Sequence, residues 1–367
     1  MNTKKMRYVW FLVILCIFCL TLFLARTRSK VEMRNRIYHQ WNEHFVVSKG
    51  KESYVRTTND SNQTVVLSEA QSYGMLITVA AAKKGQAQQA DFDRLYHYYL
   101  NHRLEGTQLM SWKQTIRNGK AKDEDHNATD GDLYIAYALL KAAQQWPKQA
   151  KDYQAQAKAI LEDILAHNYN EETGVLTVGN WANQDSEFYH LMRTSDTLPA
   201  QFQIFYEVTK DSKWLDIKEK MLQQLQTISS QTKTGLLPDF IWVDEQGTRV
   251  ADPKTIESKY DGAYSYNACR LPYNLVQSKD KTSQKLVKKM LNFFKSQRNL
   301  YAGYDLKGKA LNNHQAASFL APIVYASEHE KGYLKLVQQN KYIFTQDLPL
   351  NNYYDATMTT MIALELF

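Results

Sequence analysis

The sequence predicts a mainly α-helical fold, one globular domain behind an apolar N-terminal segment. Three observations predict it. From Ser68 onward, apolar residues recur every three or four positions. Long alternating runs of β-branched residues, the mark of a strand-built core, are missing. The most apolar run, Tyr8 to Ala25, carries no charge for eighteen residues, enough to span a bilayer near the short limit.

In chain order, residues 1–30 read as a signal anchor with its membrane segment at about 8–25. Phe23-Leu24-Ala25 offers no small residue three positions before a cut, and arginine follows directly, so an uncleaved anchor is expected. Neither Cys16 nor Cys19 is preceded by the small residue of a lipoprotein cleavage site. Both flanks are basic, so charge alone does not set orientation. Residues 26–40 read as a juxtamembrane spacer, and Ile37 to Val47 as a short helix. A polar run, Arg56 to Asn62, follows. Residues 31–367 form the predicted domain.

Helices are predicted over Ser68–Lys83, Asp91–Leu104, Asp130–Trp146 (stopped by Pro147), Lys151–His167, Thr197–Thr209 and Ser212–Ser229. Further helices are predicted over Tyr266–Gln277, Lys281–Gln297, Asn313–Ala326, Gly332–Asn340 and Tyr353–Leu366. That gives eleven or twelve helices with long and short loops between them, and no visible repeat.

Charge narrows the function classes. The chain carries 45 Lys and Arg against 38 Asp and Glu, net +7. Residues 1–36 hold eight bases and one acid, which is the whole excess, so the body is neutral and lacks a nucleic-acid footprint. With two of its 3 Cys in the anchor, the body has Cys269 alone and no disulfide. No Cys/His zinc spacing, phosphate loop, nucleophile elbow or metalloprotease helix is present. Asp123 to Tyr134 looks partly like a calcium loop, but its sixth position is Ala128 and its twelfth Tyr134. No metal or cofactor is expected. The 24 Tyr and 7 Trp suit either a core or a cleft that stacks sugar rings.

The stretches Leu67-Ser68-Glu69-Ala70-Gln71-Ser72-Tyr73-Gly74 and Ala128-Thr129-Asp130-Gly131-Asp132-Leu133-Tyr134-Ile135-Ala136 carry the chemistry. Each sets carboxylates where an apolar helix begins, and a loop there can present them to a shared cleft. Ser68, Glu69 and Asp130 also fit plain helix capping. Paired carboxylates around a groove are the minimal equipment for splitting a glycosidic bond.

Read together, the two motifs resemble glycoside hydrolase family 8. That resemblance implies an all-α (α/α)6 barrel over roughly residues 35–367 and an inverting hydrolase with Glu69 as general acid. Asp130 is then expected to contact sugar hydroxyls and to raise the pKa of Glu69. Tyr73 and Asp132 join the substrate-binding set, Asp132 mainly as a structural helper.

Many members of the family carry an aspartate base where this chain has Tyr266-Asn267-Ala268-Cys269-Arg270-Leu271-Pro272-Tyr273. Asn267 cannot serve as a base. The resemblance to a branch containing lichenases and chitosanases implies a glutamate from the preceding loop, Glu257, with Asp261 as the other choice. The same branch has Arg193-Thr194-Ser195-Asp196 in place of a Pro-Ser-Tyr stretch. Asp196 is expected to contact sugar or water, or to cap the next helix. Trp112, Trp181 and Tyr264 are candidates for stacking on sugar faces, and Arg270 for pairing with a carboxylate.

The expected activity is endo-acting cleavage of β-1,4 linkages in a mixed-linkage or cellulose-like glucan. A chitosanase and an inactive polysaccharide-binding or assembly protein are the alternatives. The expected partners are a β-linked polysaccharide, the membrane and an exopolysaccharide synthesis machinery; the expected site of action is outside the cell.

Overall fold

In this computed structural model, residues 3–60 and 62–367 are described; Met1, Asn2 and Ser61 of the predicted polar run lie outside them. The first helix, α1, runs unbroken over Thr3–Phe45. The expected spacer and separate short helix are therefore one rod. Nothing between Arg26 and Phe45 breaks it, since that stretch has no glycine or proline. Its distal half carries Ile37, Trp41 and Phe45 on one face, all buried.

Eleven further helices follow. They are α2 (Ser68–Lys83), α3 (Gln89–Asn101), α4 (Thr129–Gln145), α5 (Ala150–His167), α6 (Pro199–Thr209) and α7 (Lys213–Ser230). After them come α8 (Leu271–Val276), α9 (Lys281–Ser296), α10 (Ala317–His329), α11 (Leu334–Asn340) and α12 (Tyr353–Leu366). Even-numbered helices are apolar on most sides and form an inner ring: α2 packs on α4 and α12, and α10 on α8 and α12. Each odd-numbered helix from α3 to α11 packs outside the inner helix that precedes it. The distal half of α1 takes the outer place beside α12, antiparallel to it. Phe45 meets Tyr353, Trp41 Nε1 donates to Thr357 Oγ1 at 2.9 Å, and Arg34 donates to the Phe367 carbonyl at 3.0 Å.

The predicted helix over Tyr266–Gln277 is shorter than expected. A 3-10 turn at Ala268–Arg270 precedes α8, with Pro272 near its start. Asn313 to Ala316 are loop because α10 starts only at Ala317.

Three small antiparallel sheets were not legible in the sequence: a hairpin of β1 (Val46–Lys49) and β2 (Glu52–Val55), and two three-stranded sheets. One comprises β3 (Thr64–Leu67), β4 (Lys113–Arg117) and β5 (Lys120–Asp123), the other β6 (Leu191–Arg193), β7 (Phe240–Asp244) and β8 (Gly247–Val250). All sit in long connections that lead from an outer helix to the next inner one. The two three-stranded sheets brace the same end of the ring. β3 delivers Leu67 straight into α2, with Leu67 paired to Lys113, and β6 delivers Arg193, paired to Phe240. One continuous apolar cluster fills the interior, with a small satellite under the β6–β8 sheet.

Candidate active site

The site forms where α2 and α4 start side by side. Gly131 permits that approach: a Cβ there would lie 2.1 Å from Ser68 Oγ and 3.0 Å from the Ser68 backbone. Only a residue without a side chain lets the two helix starts touch, and so sets Glu69 beside Asp130. Neither helix is capped in the expected way. The residue before α2 is Leu67, and Ser68 Oγ makes no hydrogen bond. The Asp130 carboxylate accepts from Gly131 N–H at 3.0 Å within its own first turn. The acids are therefore free to face the cleft.

Two arginines organise them. Arg270, fully buried, donates from Nη1 to Glu69 Oε2 at 2.8 Å, Tyr73 Oη at 3.0 Å and Asp130 Oδ2 at 3.1 Å. Its Nη2 donates to Ser195 Oγ at 2.7 Å and Asn267 Oδ1 at 3.1 Å. Arg193 stands on the other side of Asp130, with Nη1 3.1 Å from Asp130 Oδ1 and 3.6 Å from Asp196 Oδ2, and donates from Nη2 to Glu257 Oε1 at 3.3 Å. Asn267 Nδ2 donates to Glu257 Oε2 at 2.8 Å. Glu257 is thus held at both oxygens yet stays 45% exposed.

Asp239 shapes the turn that carries Asn267 and Arg270. One of its carboxylate oxygens accepts the backbone N–H groups of Ser265, Asn267 and Ala268 at 3.1, 3.1 and 2.7 Å.

The electrostatics separate the carboxylates. Burial pushes Glu69 up to about 7; Arg270 opposes this and Asp130 reinforces it. Burial also acts on Asp130, but Arg193 and Arg270 outweigh it and hold that carboxyl below its ordinary value. Asp196 is pushed up to about 7 by burial against the pull of Arg193. A protonated acid beside a fixed anion is the pattern of an acid catalyst tuned by its neighbour.

These groups open on a cavity of about 370 Å³, lined by Glu69, Asp130, Arg193, Glu257, Asn267 and Trp112 together with Tyr353 and Tyr354. Trp112 stacks on His126 at 5.8 Å, and His126 meets Trp181 edge-on at 6.2 Å. Trp181 in turn meets Phe188, which stacks on Trp242. An aromatic row therefore leads outward from the cavity.

Of the residues singled out in the sequence, Glu69, Asp130, Glu257, Asn267 and Trp112 face this cavity, while Arg270 and Tyr73 lie directly behind its carboxylates. Trp181 sits one aromatic ring farther out. Asp196 is buried against Arg193 and caps no helix: Leu198 precedes α6 and makes no side-chain cap.

Three expectations need correction. Tyr264 is fully buried between Phe294 and Phe319, in the core, where no sugar can stack on it. Asp132 is buried and accepts from Met110 N–H and Asn127 Nδ2, both at 2.8 Å, so it keeps the structural role expected of it and leaves the substrate-binding set. Asp261 is buried with its oxygens taken by the N–H groups of Ile256, Glu257 and Ser258 at 2.8, 3.0 and 2.8 Å. It builds the loop that presents Glu257, and no water can reach it as a base.

Sequence reading missed Arg193, Asp239, His126 and the tyrosines Tyr353 and Tyr354. Arg193 stands three positions before Asp196 in a stretch already singled out, so its signal was present. Asp239 had none, because its partners are backbone groups some thirty residues on. Among the described residues, no cluster of His, Cys, Asp and Glu has the arrangement of a metal site.

Residues 13–365 match the family model of glycosyl hydrolases family 8. A beta-glucanase of Niallia circulans is 30% identical over 298 residues, covering 78% of this chain and 72% of that protein. Endoglucanase A of Acetivibrio thermocellus is 27% identical over 313 residues, covering 83% of this chain and 62% of that protein. In fold, the apo beta-1,3-1,4-glucanase of Paenibacillus sp. X4 superposes with a TM-score of 0.82 at 24% identity, over 93% of this chain and 92% of that one.

Proposed function

Because this chain belongs to glycosyl hydrolase family 8 and is therefore a glycoside hydrolase, we propose that it cleaves β-1,4 linkages within a β-glucan, with inversion at the anomeric carbon. Glu69 protonates the leaving glycosidic oxygen. Glu257 takes a proton from the water that attacks the opposite face of the sugar, as an inverting pair requires. Asp130 stays ionised between two arginines, contacts the sugar at the cleavage point and keeps Glu69 protonated. Trp112 offers a ring face to the sugar, and the aromatic row beyond it suits a long chain rather than a short end.

The observation that carries this reading is the link across the cavity. Arg270 holds Glu69 and Asn267, and Asn267 holds Glu257. Asparagine at that position does not leave the site without a base; it donates to one. This favours the branch that draws its base from the loop, and it favours an active enzyme over a binding protein on the same scaffold.

The test is release of reducing ends by the full chain in detergent from mixed-linkage glucan, carboxymethyl cellulose, xylan and chitosan, beside Glu69→Gln and Glu257→Gln. Cleavage of one polymer, lost in both variants, with an inverted anomer seen first by NMR, supports the assignment. Full activity in Glu257→Gln removes it from the base role. Chitosan as the sole substrate would place the protein with chitosanases, and binding without cleavage would make it an assembly protein.

The apolar stretch of α1 is proposed as a single membrane span, with the catalytic domain outside the cell. Among the described residues, α1 is the one helix long and apolar enough to cross a bilayer. Its mean hydropathy there is 2.7 and none of it is covered by the domain. An enzyme tied down in this way suits trimming of a polymer made at the same membrane, beside its synthesis machinery.

A further inference from the structure

Because α1 is one helix from its apolar part to Phe45, it fixes which end of the barrel meets the membrane. Inner helices run from the catalytic cavity to the opposite base: Glu69 starts α2 and Lys83 ends it, about 21 Å away at 1.5 Å per residue. The outer half of α1 runs the other way. Its first contacts with the domain are at the base, where the Lys30 ammonium sits over the Phe367 ring and Arg34 bonds the Phe367 carbonyl. Only residues 26–29 separate the apolar run from those contacts, about 6 Å of helix. The base therefore lies within roughly one Debye length of the bilayer surface, and the catalytic mouth points away from it.

That base is basic although the body as a whole is neutral. The five turns there that lead from an inner to an outer helix, taken with the helix residue on either side of each, hold eight lysines against three carboxylates. At its centre is a second cavity, of about 380 Å³, whose rim carries Lys83, Lys84 and Lys141. None of the three has an ion-pair partner among the described residues; Lys141 only lies over the Tyr137 ring at 5.1 Å. The acid in this cavity, Glu365, is occupied with Tyr273 Oη, which donates to it at 2.7 Å. Burial and Lys141 together depress Lys83, which Glu365 only partly offsets, so the lysines crowd one another without a sufficient counter-charge.

We propose that the base of the barrel docks on anionic lipid headgroups of the membrane that α1 crosses, with Lys83, Lys84 and Lys141 gathered around one lipid phosphate. This rests on reading α1 as a membrane span. Docking stands the barrel upright, holding the cleft open to polymer approaching from outside rather than against the lipid.

The test uses the full chain in vesicles of phosphatidylcholine with and without phosphatidylglycerol. Hydrogen exchange is followed over residues 83–89 and 145–151, beside the triple variant Lys83→Gln, Lys84→Gln, Lys141→Gln. At roughly fivefold per lysine near an anionic leaflet, three lysines shift the docked-to-undocked ratio about a hundredfold. Exchange at the base should slow in anionic vesicles only, return to the neutral-vesicle rate in the triple variant and in high salt, and leave the catalytic loops unchanged. Equal exchange in both lipids, with the chain resisting alkaline extraction, would overturn the docking while leaving the span intact. A chain released by alkaline extraction would overturn the span and the docking with it. Protection by free glycerol phosphate in neutral vesicles would make the cavity a small-molecule site instead.

Discussion

Replacing Asp130 with asparagine tests the acid assignment without touching the acid. One oxygen of Asp130 and one of Glu69 sit on the same Arg270 nitrogen, at 3.1 and 2.8 Å, so they are at most about 6 Å apart. Two unit charges at that distance repel by roughly 2.8 kcal/mol at an effective dielectric constant near 20, which is about two pH units. Asp130→Asn removes this repulsion and also leaves Arg193 and Arg270 with one anion fewer to satisfy. Both effects lower the pKa of Glu69, which stands at about 7. An acid catalyst works protonated, so kcat/KM falls as pH rises through its pKa. The alkaline limb for the parent should lie near pH 7, and in Asp130→Asn it should move down towards about pH 5. The assay is kcat/KM from about pH 4 to 9 on a soluble β-glucan at constant ionic strength. The melting temperature is followed in parallel, so that a folding defect is not read as a shifted limb. A lower maximal rate is expected as well, since Asp130 faces the cavity, but only the position of the limb bears on the claim. A limb that stays in place or moves up would refute the coupling and with it the role given to Glu69.

Four other expectations follow from the same geometry. Glu69→Gln should cost about 10²–10⁴ in kcat with little change in melting temperature, a range typical of losing a general acid. Gly131→Ala should lower stability by roughly 1–3 kcal/mol in denaturant titration, because its methyl would meet the Ser68 backbone and push α2 from α4; activity should fall with it. Asp239→Ala should cost at least about 3 kcal/mol, leaving three backbone N–H groups buried without an acceptor at about 1 kcal/mol or more each. Tyr264→Phe should leave kinetics unchanged and stability equal or slightly higher, since the buried hydroxyl has no partner; a raised KM would restore Tyr264 to the substrate site.

The sequence by itself determined the helical class, most helix positions and the two motifs that hold the acids. These are local matters. Apolar spacing fixes a helix face, so Ser68–Lys83 and Tyr353–Leu366 agree to the residue with what periodicity indicates. Local signals also mark stops, as Pro147 does after α4. What the tertiary structure decided depends on residues far apart in the chain. Whether Glu69 is an acid turns on Arg270, 201 positions away, and on Asp130. Glu257 and Asp261 lie four residues apart in one loop and look alike in sequence. Only the folded loop shows Asp261 consumed by three backbone N–H groups and Glu257 left at the cavity. Tyr264 and Trp112 were equal candidates by residue type, and packing put one in the core and the other in the cleft. The length of α1 was decided in the same way. In sequence its outer half reads as a spacer over 26–40 and a separate short helix from Ile37; Arg34, Trp41 and Phe45 all pack on α12, more than three hundred residues later, and the two pieces are one rod.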